Sequence, residues 1–375
     1  MTSADRPELS ELTTTRIGGP AGQYRRARSQ QEIIAAVQEA DAAGRPVLLV
    51  GGGSNLLVGD DGFDGVVVHL TSQGVAVARD AEGAGALVTV QAGHSWDDVV
   101  EQTVEQGLVG LEALSGIPGT AGATPVQNVG AYGSEVSRTI ESVRVWDRRD
   151  AEVRGFTADE LEFAYRDSLL KRTTESGSPR YVVLEVAFRL VAGTASSPVQ
   201  YGQLADALGV AVGESAPLRA VRETVLGLRG SKGMVLDPQD PDTFSTGSFF
   251  TNPIVAVDDA EQLLPADAPR FPVVDGAGAP VEGQTKLSAA WLIDRSGFGK
   301  GFGLPGTRNE RLGLEGEDVA RGRSAVSTKH TLAMTNRGEA SAADVEALAR
   351  TVRDGVAEAY GIRLVPEPVM VGFSL

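Results

Sequence analysis

Hydrophobic positions recur at helical spacing in three stretches. Ser29 and Glu32 have the spacing of a capping box, after which Ile33, Ile34, Val37 and Ala40 fall on one face and Gly44 offers a stop. Between Ser95 and Gly107 the inner face is Trp96, Val99, Val100 and Val104. Between Ser341 and Gly361 it is Val345, Leu348, Val352 and Val356. Short apolar runs bounded by turn residues predict strands at 46–50, 66–70, 86–92, 142–147 and 181–190, with Leu56-Leu-Val58 also reading as strand. A short helix is expected near 157–163, and a longer one after Gly202, running to about Arg229. From Gly233 to Arg323 the pattern is short strands, loops and one apolar segment, Leu287–Ile293. Helices and strands mix without strict βαβ alternation, which predicts an α+β fold.

Composition narrows the partners. At 375 residues, 42% of them hydrophobic, the chain can bury the cores of two or three domains. Lys plus Arg number 34 and Asp plus Glu 50, so the net charge is −16, which repels nucleic acid and anionic membrane. An anionic substrate therefore needs a few cations gathered in one cleft. The absence of cysteine excludes disulfides, thiolate catalysis and iron–sulfur ligation. His69, His94 and His330 lack metal-ligand spacing, so no metal site is expected. The start of the chain is polar, and no apolar run approaches the ~20 residues that span a bilayer, which predicts a cytoplasmic protein.

Two glycine-rich segments carry candidate chemistry. Gly51-Gly-Gly-Ser-Asn-Leu56 follows a strand and suits either a tight turn or a pyrophosphate cradle of backbone N–H groups. It lacks the G-x-G-x-x-G spacing and the Walker lysine. Ser115-Gly-Ile-Pro-Gly119, Gly122, Gln127-Asn128 and Gly130-Ala-Tyr-Gly133 form a long loop with apolar residues between the glycines. Such a loop is an irregular connection or a wrap around a large flat cofactor, with Gln and Asn placed for ring-edge hydrogen bonds. Tyr165-Arg-Asp-Ser168 follows a predicted helix, Gly247-Ser-Phe-Phe250 precedes Asn252-Pro253, and Glu367 stands between two prolines. No G-x-S-x-G elbow is present.

Taken in order, these segments, with Ala92-Gly-His-Ser-Trp96 and Ala290-Trp-Leu-Ile-Asp294, resemble the UDP-N-acetylenolpyruvoylglucosamine reductase family from about Thr13 to Gly372. The first half would also suit other members of the flavin-linked oxidase superfamily; the second half singles out this family. The resemblance implies a mobile tail at 1–12, a two-part FAD-binding fold at 13–70 and 71–230, a substrate-binding domain at 231–360 and a C-terminal segment, 361–375, returning to the active site. It implies tightly bound FAD, held by Gly51, Gly52, Gly53, Ser54, Asn55, Leu56, Pro118, Gly119, Gly122, Gln127, Asn128, Gly130 and Tyr132, with NADPH as co-substrate. Ser248 matches the family's proton donor, and Arg166 and Glu367 the pair that polarises the substrate carboxylate. Tyr201 resembles the tyrosine that covers substrate in the longer subclass; Lys232, Asn252 and His330 match substrate contacts. The chain departs from the family at Thr251, commonly Lys, and in Leu364-Val-Pro-Glu-Pro368, commonly Leu-Glu-Pro-Glu-Val.

The implied function is NADPH-dependent reduction of UDP-N-acetylglucosamine enolpyruvate to UDP-N-acetylmuramate, for peptidoglycan, by a monomer. An enol ether accepts hydride only if charge spreads into its carboxylate, which calls for an arginine aimed there; the neighbouring carbon then needs a positioned proton donor. Two rivals make different predictions. An oxidase of the same superfamily would be reoxidised by oxygen, and a non-catalytic flavin or nucleotide-sugar binder would hold FAD that NADPH fails to bleach.

Overall fold

The computed structural model describes residues 6–175, 177–274 and 279–375. The chain forms two compact units, the first built from Ala21–Gly53 and Asp64–Val235, the second from Glu8–Pro20, Ser54–Phe63 and Leu236–Leu375. The α+β expectation holds. Among the described residues, 47–50 pairs in parallel with 66–69, and 56–58 with 369–371.

In the first unit a small sheet runs in the order Ala21–Ala27, Phe63–Leu70, Val47–Val50. The helix Gln30–Ala42 crosses over it and turns Ile33, Ala36, Val37 and Ala40 inward. The capping box is half as expected. Ser29 Oγ accepts from Glu32 N–H, but the Glu32 carboxylate reaches back to the N–H of Arg28.

A larger antiparallel sheet follows, in the order Glu152–Thr157, Ile140–Asp147, Tyr181–Ala192, Gly85–Gln91, Val75–Arg79. Its long strand changes face midway. Arg144 pairs with Glu185 and Val145 with Val183, leaving Leu184 as an extra residue. Before this bulge, Val182 and Leu184 pack toward the small sheet's helix while Tyr181 and Val183 enter the main core. Beyond it, Val186, Phe188 and Leu190 take over the main core, because one inserted residue reverses the alternation. The helix Trp96–Glu105 covers that face with all four expected residues buried, and the Trp96 ring lies 5.6 Å from Phe188.

Near 157–163 only a 3₁₀ turn forms, Asp159–Leu161, closed by Glu162 with φ 47°. The single helix expected to reach Arg229 is two, Gly202–Leu208 and Leu218–Ser231. Gly209, at φ 69°, ends the first, and Pro217 caps the second.

The second unit centres on the helix Ala342–Tyr360. It has a complete Ser341–Asp344 capping box and stops at Gly361, whose φ is 67°. Val345, Leu348, Val352 and Val356 are fully buried, as the periodicity predicts. Gly355 is where the Phe298 ring packs against the helix, 2.5 Å from where a Cβ would stand. Leu56–Val58 pairs with Val369–Val371, and the strands Ile254–Ala256, Pro280–Leu287 and Arg270–Val274 make a three-stranded antiparallel sheet.

Two expectations about the domains change. Residues 1–5 of the expected tail lie outside the described residues, but from Glu8 the chain is built into the second unit. Leu9 is fully buried, and its N–H and that of Ser10 donate to Gly19 and Gly18 carbonyls. The segment 54–63, expected with the first FAD-binding part, also belongs to the second unit. Its edge groups pair with the C-terminal strand, a long-range contact that local patterning does not encode.

Candidate active site

The first glycine loop changes unit at its centre, with Gly51 to Gly53 in the first and Ser54 onward in the second. Within the first unit it closes on the second glycine loop. A Cβ on Gly51 would stand 2.3 Å from Thr120 Oγ1, and one on Gly52 2.7 Å from Gly119 Cα; Gly53 has φ 60°. At Gly52 the near atoms are backbone, so a side chain there would push the loops apart, whereas at Gly51 the near atom is a side-chain hydroxyl. On the other side of the unit division, Asn55 Nδ2 donates to the Glu367 carbonyl at 3.5 Å, and Leu56 pairs with Val369.

The second loop is tied down by the motif at 92–96. Gly122 N–H donates to Ala92, Ala121 N–H to the His94 carbonyl, and Trp96 N–H to Gly119. The Cβ of Ala92 occupies the room that a side chain at Gly122 would need, leaving 2.5 Å. Farther on, Asn128, Tyr132 and Arg166 hold φ of 46°, 51° and 55°, a left-handed backbone that costs roughly 1 kcal/mol or more at each non-glycine residue. Such strain concentrates at ligand clamps. Pro118 and Gln127 belong to the same loop, each with a polar or ring interaction of its own.

One expected contact is corrected. Asn128 is 1% exposed, and both hydrogens of its side-chain amide are spent, on Glu135 Oε2 (2.9 Å) and the Ala164 carbonyl (3.1 Å). Its Oδ1 accepts from Ser137 N–H. The side chain fastens the loop, so a ring-edge donation from it is ruled out by geometry.

Arg166 lies against the same loop. Its Nη2 donates to the Gly130 carbonyl at 2.7 Å and its Nη1 to the Asn128 carbonyl at 3.3 Å. A Cβ on Gly130 would come within 3.1 Å of Nη1, so this glycine makes room for the guanidinium. The expected Tyr201 and Lys232 are also here. Tyr201 meets Tyr132 edge-to-face at 5.6 Å, and Lys232 Nζ stands 5.8 Å from the Tyr132 ring while donating to Gln203 Oε1. Burial, then the neighbouring Arg229, lowers the Lys232 pKa.

A further group was not legible as functional. Asp97, on the helix Trp96–Glu105, accepts a fork from Arg222 (2.7 and 2.9 Å) and the Gly116 N–H (2.6 Å), pinning the start of the second loop. Burial would raise the Asp97 pKa, but the Arg222 fork and the Gly116 N–H outweigh it and hold the carboxyl below its ordinary value. A depressed carboxylate pKa contributes stability above the unfolded value, about 4, and loses it as pH falls through the folded value. Asp97→Asn is therefore expected to cost about 1–2 kcal/mol at pH 7, reduced by the partial exposure of the pair. The gap to wild type should shrink below about pH 4 in urea unfolding. A gap that held constant down to pH 3 would contradict this.

In the second unit the serine segment is clamped from two sides. Phe249 N–H donates to the Leu332 carbonyl, while Glu367 N–H donates to the Phe249 carbonyl at 2.9 Å and Thr251 N–H to Val365. Phe249 and Phe250 are each 1% exposed. Gly247, at φ 72°, turns Ser248 into a half-buried position, where its hydroxyl has no hydrogen-bond partner among the described residues. Thr251 Oγ1 reaches the Val365 carbonyl at 3.3 Å, and Asn252 Oδ1 accepts the Ala289 N–H. The loop carrying His330 is fixed by the buried Asp242, which accepts from Thr328 N–H, Thr328 Oγ1 and Arg337. Ser248, Asn252, His330 and Glu367 thus share one clamped framework, and Arg166, Tyr132, Tyr201 and Lys232 another.

The glycine approaches of the first unit leave backbone where a flat, phosphate-bearing group can lie, and beside them the buried Nε of Arg229, which has no partner among the described residues, calls for an anion. These residues fit FAD. Residues 21–156 match the family model described as FAD binding domain, and residues 305–371 that of the UDP-N-acetylenolpyruvoylglucosamine reductase C-terminal domain. The protein is an FAD-dependent oxidoreductase.

Its relatives narrow this further. The chain is 53% identical to the UDP-N-acetylenolpyruvoylglucosamine reductase of Nocardia farcinica (strain IFM 10152), covering 98% of this chain and 89% of that protein. It is 49% identical to that of Cutibacterium acnes (strain DSM 16379 / KPA171202), covering 98% and 90%. The crystal structure of the reductase from Thermus caldophilus superposes with a TM-score of 0.61 over 98% of each chain, at 24% identity, a likeness of fold. The chain belongs to the UDP-N-acetylenolpyruvoylglucosamine reductase family.

Proposed function

We propose that this chain reduces UDP-N-acetylglucosamine enolpyruvate to UDP-N-acetylmuramate, with Arg166, Ser248 and Glu367 as its catalytic residues. When bound along the two glycine loops, FAD would supply the redox chemistry, with NADPH as the source of hydride. Arg166 engages the substrate carboxylate and stabilises the charge that hydride addition pushes into it, the use for which a guanidinium fork is suited. Glu367 hydrogen-bonds at the same carboxylate. Ser248 then gives its proton to the adjacent carbon, where the basic enolate makes a weak acid sufficient. Tyr201, Lys232, Asn252 and His330 hold the nucleotide-sugar.

The observation that supports this reading is the clamp on the serine segment: Phe249 is hydrogen-bonded on both sides, one bond coming from Glu367 itself, while the Ser248 hydroxyl has no partner among the described residues. A donor fixed in place but with no other partner is what face-selective protonation needs. A cytoplasmic monomer without a nucleic-acid partner belongs to the same reading, supported for nucleic acid by the net charge of −16. Among the described residues, no helix is long and apolar enough to cross a membrane.

Anaerobic absorbance tests the assignment. NADPH should bleach the flavin bands, and UDP-N-acetylglucosamine enolpyruvate should restore them stoichiometrically. Bands that return only with oxygen would make the protein an oxidase, and bands that NADPH leaves untouched would make it a binding protein.

A further inference from the structure

Arg229 lies in the last turn of the helix Leu218–Ser231 and is 8% exposed. Its Nη2 donates to the Met234 carbonyl at 2.8 Å, but its Nε is buried without a partner. Two turns earlier on the same helix, Arg222 has a carboxylate, Asp97, in a two-point fork. Asp97 gives that fork and the Gly116 N–H its hydrogen bonds and reaches Arg229 only through space.

Other buried guanidinium nitrogens lack a partner, at Arg270, Arg323 and Arg353, but those residues are neutralised otherwise. Arg323 and Arg353 pair with Asp344 and Asp354, and Arg270 donates to several backbone carbonyls. Among the described residues Arg229 has one carbonyl and no hydrogen-bonded carboxylate. Burial lowers its pKa to about 10, so it is still a cation at neutral pH. A buried cation with no hydrogen-bonded counter-charge is costly, and an anionic ligand would offset that cost.

What surrounds it identifies the ligand. The Nε stands 3.5 Å from where a Cβ on Gly116 would be, at the start of the second glycine loop. Tyr132, at the end of that loop in a left-handed conformation, interacts electrostatically with it, as do Asp97 and the cation of Lys232. We infer that Arg229 is a cofactor-binding residue whose buried guanidinium meets an anionic oxygen of FAD, on either the diphosphate or the C2-carbonyl edge of the ring, where charge gathers on reduction. This rests on the FAD-binding fold and not on which substrate is reduced.

Arg229→Met and Arg229→Gln test it on the holoenzyme and on protein stripped of FAD, without substrate. Removing an uncompensated buried charge should leave the stripped protein melting no lower than wild type. If the partner is the diphosphate, the FAD dissociation constant should rise about ten- to a hundredfold, with the flavin potential unchanged. If it is the ring edge, the potential should fall and the affinity for sulfite, whose N5 adduct places negative charge on that edge, should drop about tenfold or more; Arg229→Lys should recover part of it. Native FAD affinity, potential and sulfite binding would overturn the inference. That holds whether the variants melt early, which would make Arg229 a tie to Met234, or change only KM for the nucleotide-sugar.

Discussion

Ser248→Ala leaves the bleaching of the flavin by NADPH at its wild-type rate and slows reoxidation by the enolpyruvyl substrate by more than about 10²–10⁴-fold, the usual worth of a positioned proton donor. The two halves respond differently because the hydroxyl acts only in the second, where hydride transfer to the alkene goes forward only as the adjacent carbon is protonated. Stability should hardly change, since the hydroxyl has no partner among the described residues and the segment is fixed by backbone bonds at Phe249 and Thr251. The same fixity explains why the loss should exceed the usual range. Two buried aromatic rings anchor the segment, so a neighbouring group cannot shift in to replace the missing oxygen. Stopped-flow measurement of both halves, with pre-reduced enzyme for the second, reads this directly. A variant reoxidised at near the wild-type rate would remove Ser248 from the mechanism.

Gly52→Ala should yield protein that folds but holds FAD poorly. The added methyl would meet Gly119 at 2.7 Å from Cα, 3.2 Å from C and 3.3 Å from N, all of it backbone that cannot swing away. The conformation at Gly52 is not left-handed, so alanine is admissible there and the penalty is steric alone. Parting the loops by a few tenths of an ångström costs about 1–3 kcal/mol, which would weaken FAD binding about ten- to a hundredfold if the loops form the cradle. At Gly51 the clash is with the Thr120 hydroxyl, a side chain that can rotate, so the corresponding change should be milder. Gly230→Ala is the control: nothing lies within 4 Å and the residue is helical, so it should bind FAD normally. Fluorescence titration of stripped protein measures all three. Native affinity in Gly52→Ala would mean that the two loops do not enclose the cofactor.

Much of the site was legible because its signals are local. A glycine run after a strand, a serine before two phenylalanines and a glutamate between prolines are unusual enough to stand out without knowledge of their neighbours. Asn128 was misread for the same reason. An amide in a cofactor loop has the chemistry of a ring-edge donor, and only the positions of Glu135 and Ala164 reveal that its hydrogens are already spent. Arg229 went unnoticed because an arginine at a helix end normally faces water. Its seven-residue separation from Arg222 does place both on one face, and that spacing was the signal available.

By itself the sequence determined three helices, at 30–42, 96–105 and 342–360, since 3.6-residue periodicity and capping residues act within a few positions of each other. Trp96, Val99, Val100 and Val104 turn inward as their spacing dictates, and the helix from Ala342 to Tyr360 begins and ends where Ser341 and Gly361 dictate. The tertiary structure decided what depends on distant partners. It placed 8–20 and 54–63 with the C-terminal unit, because the edge of Leu56–Val58 finds its hydrogen bonds in Val369–Val371. It reversed the faces of the strand Tyr181–Ala192 at Leu184, because a bulge is a mismatch in register between two strands and belongs to neither alone. And it gave one buried arginine a carboxylate in a two-point fork and its neighbour two turns away no hydrogen-bonded carboxylate among the described residues, a difference that the identity of the residue does not carry.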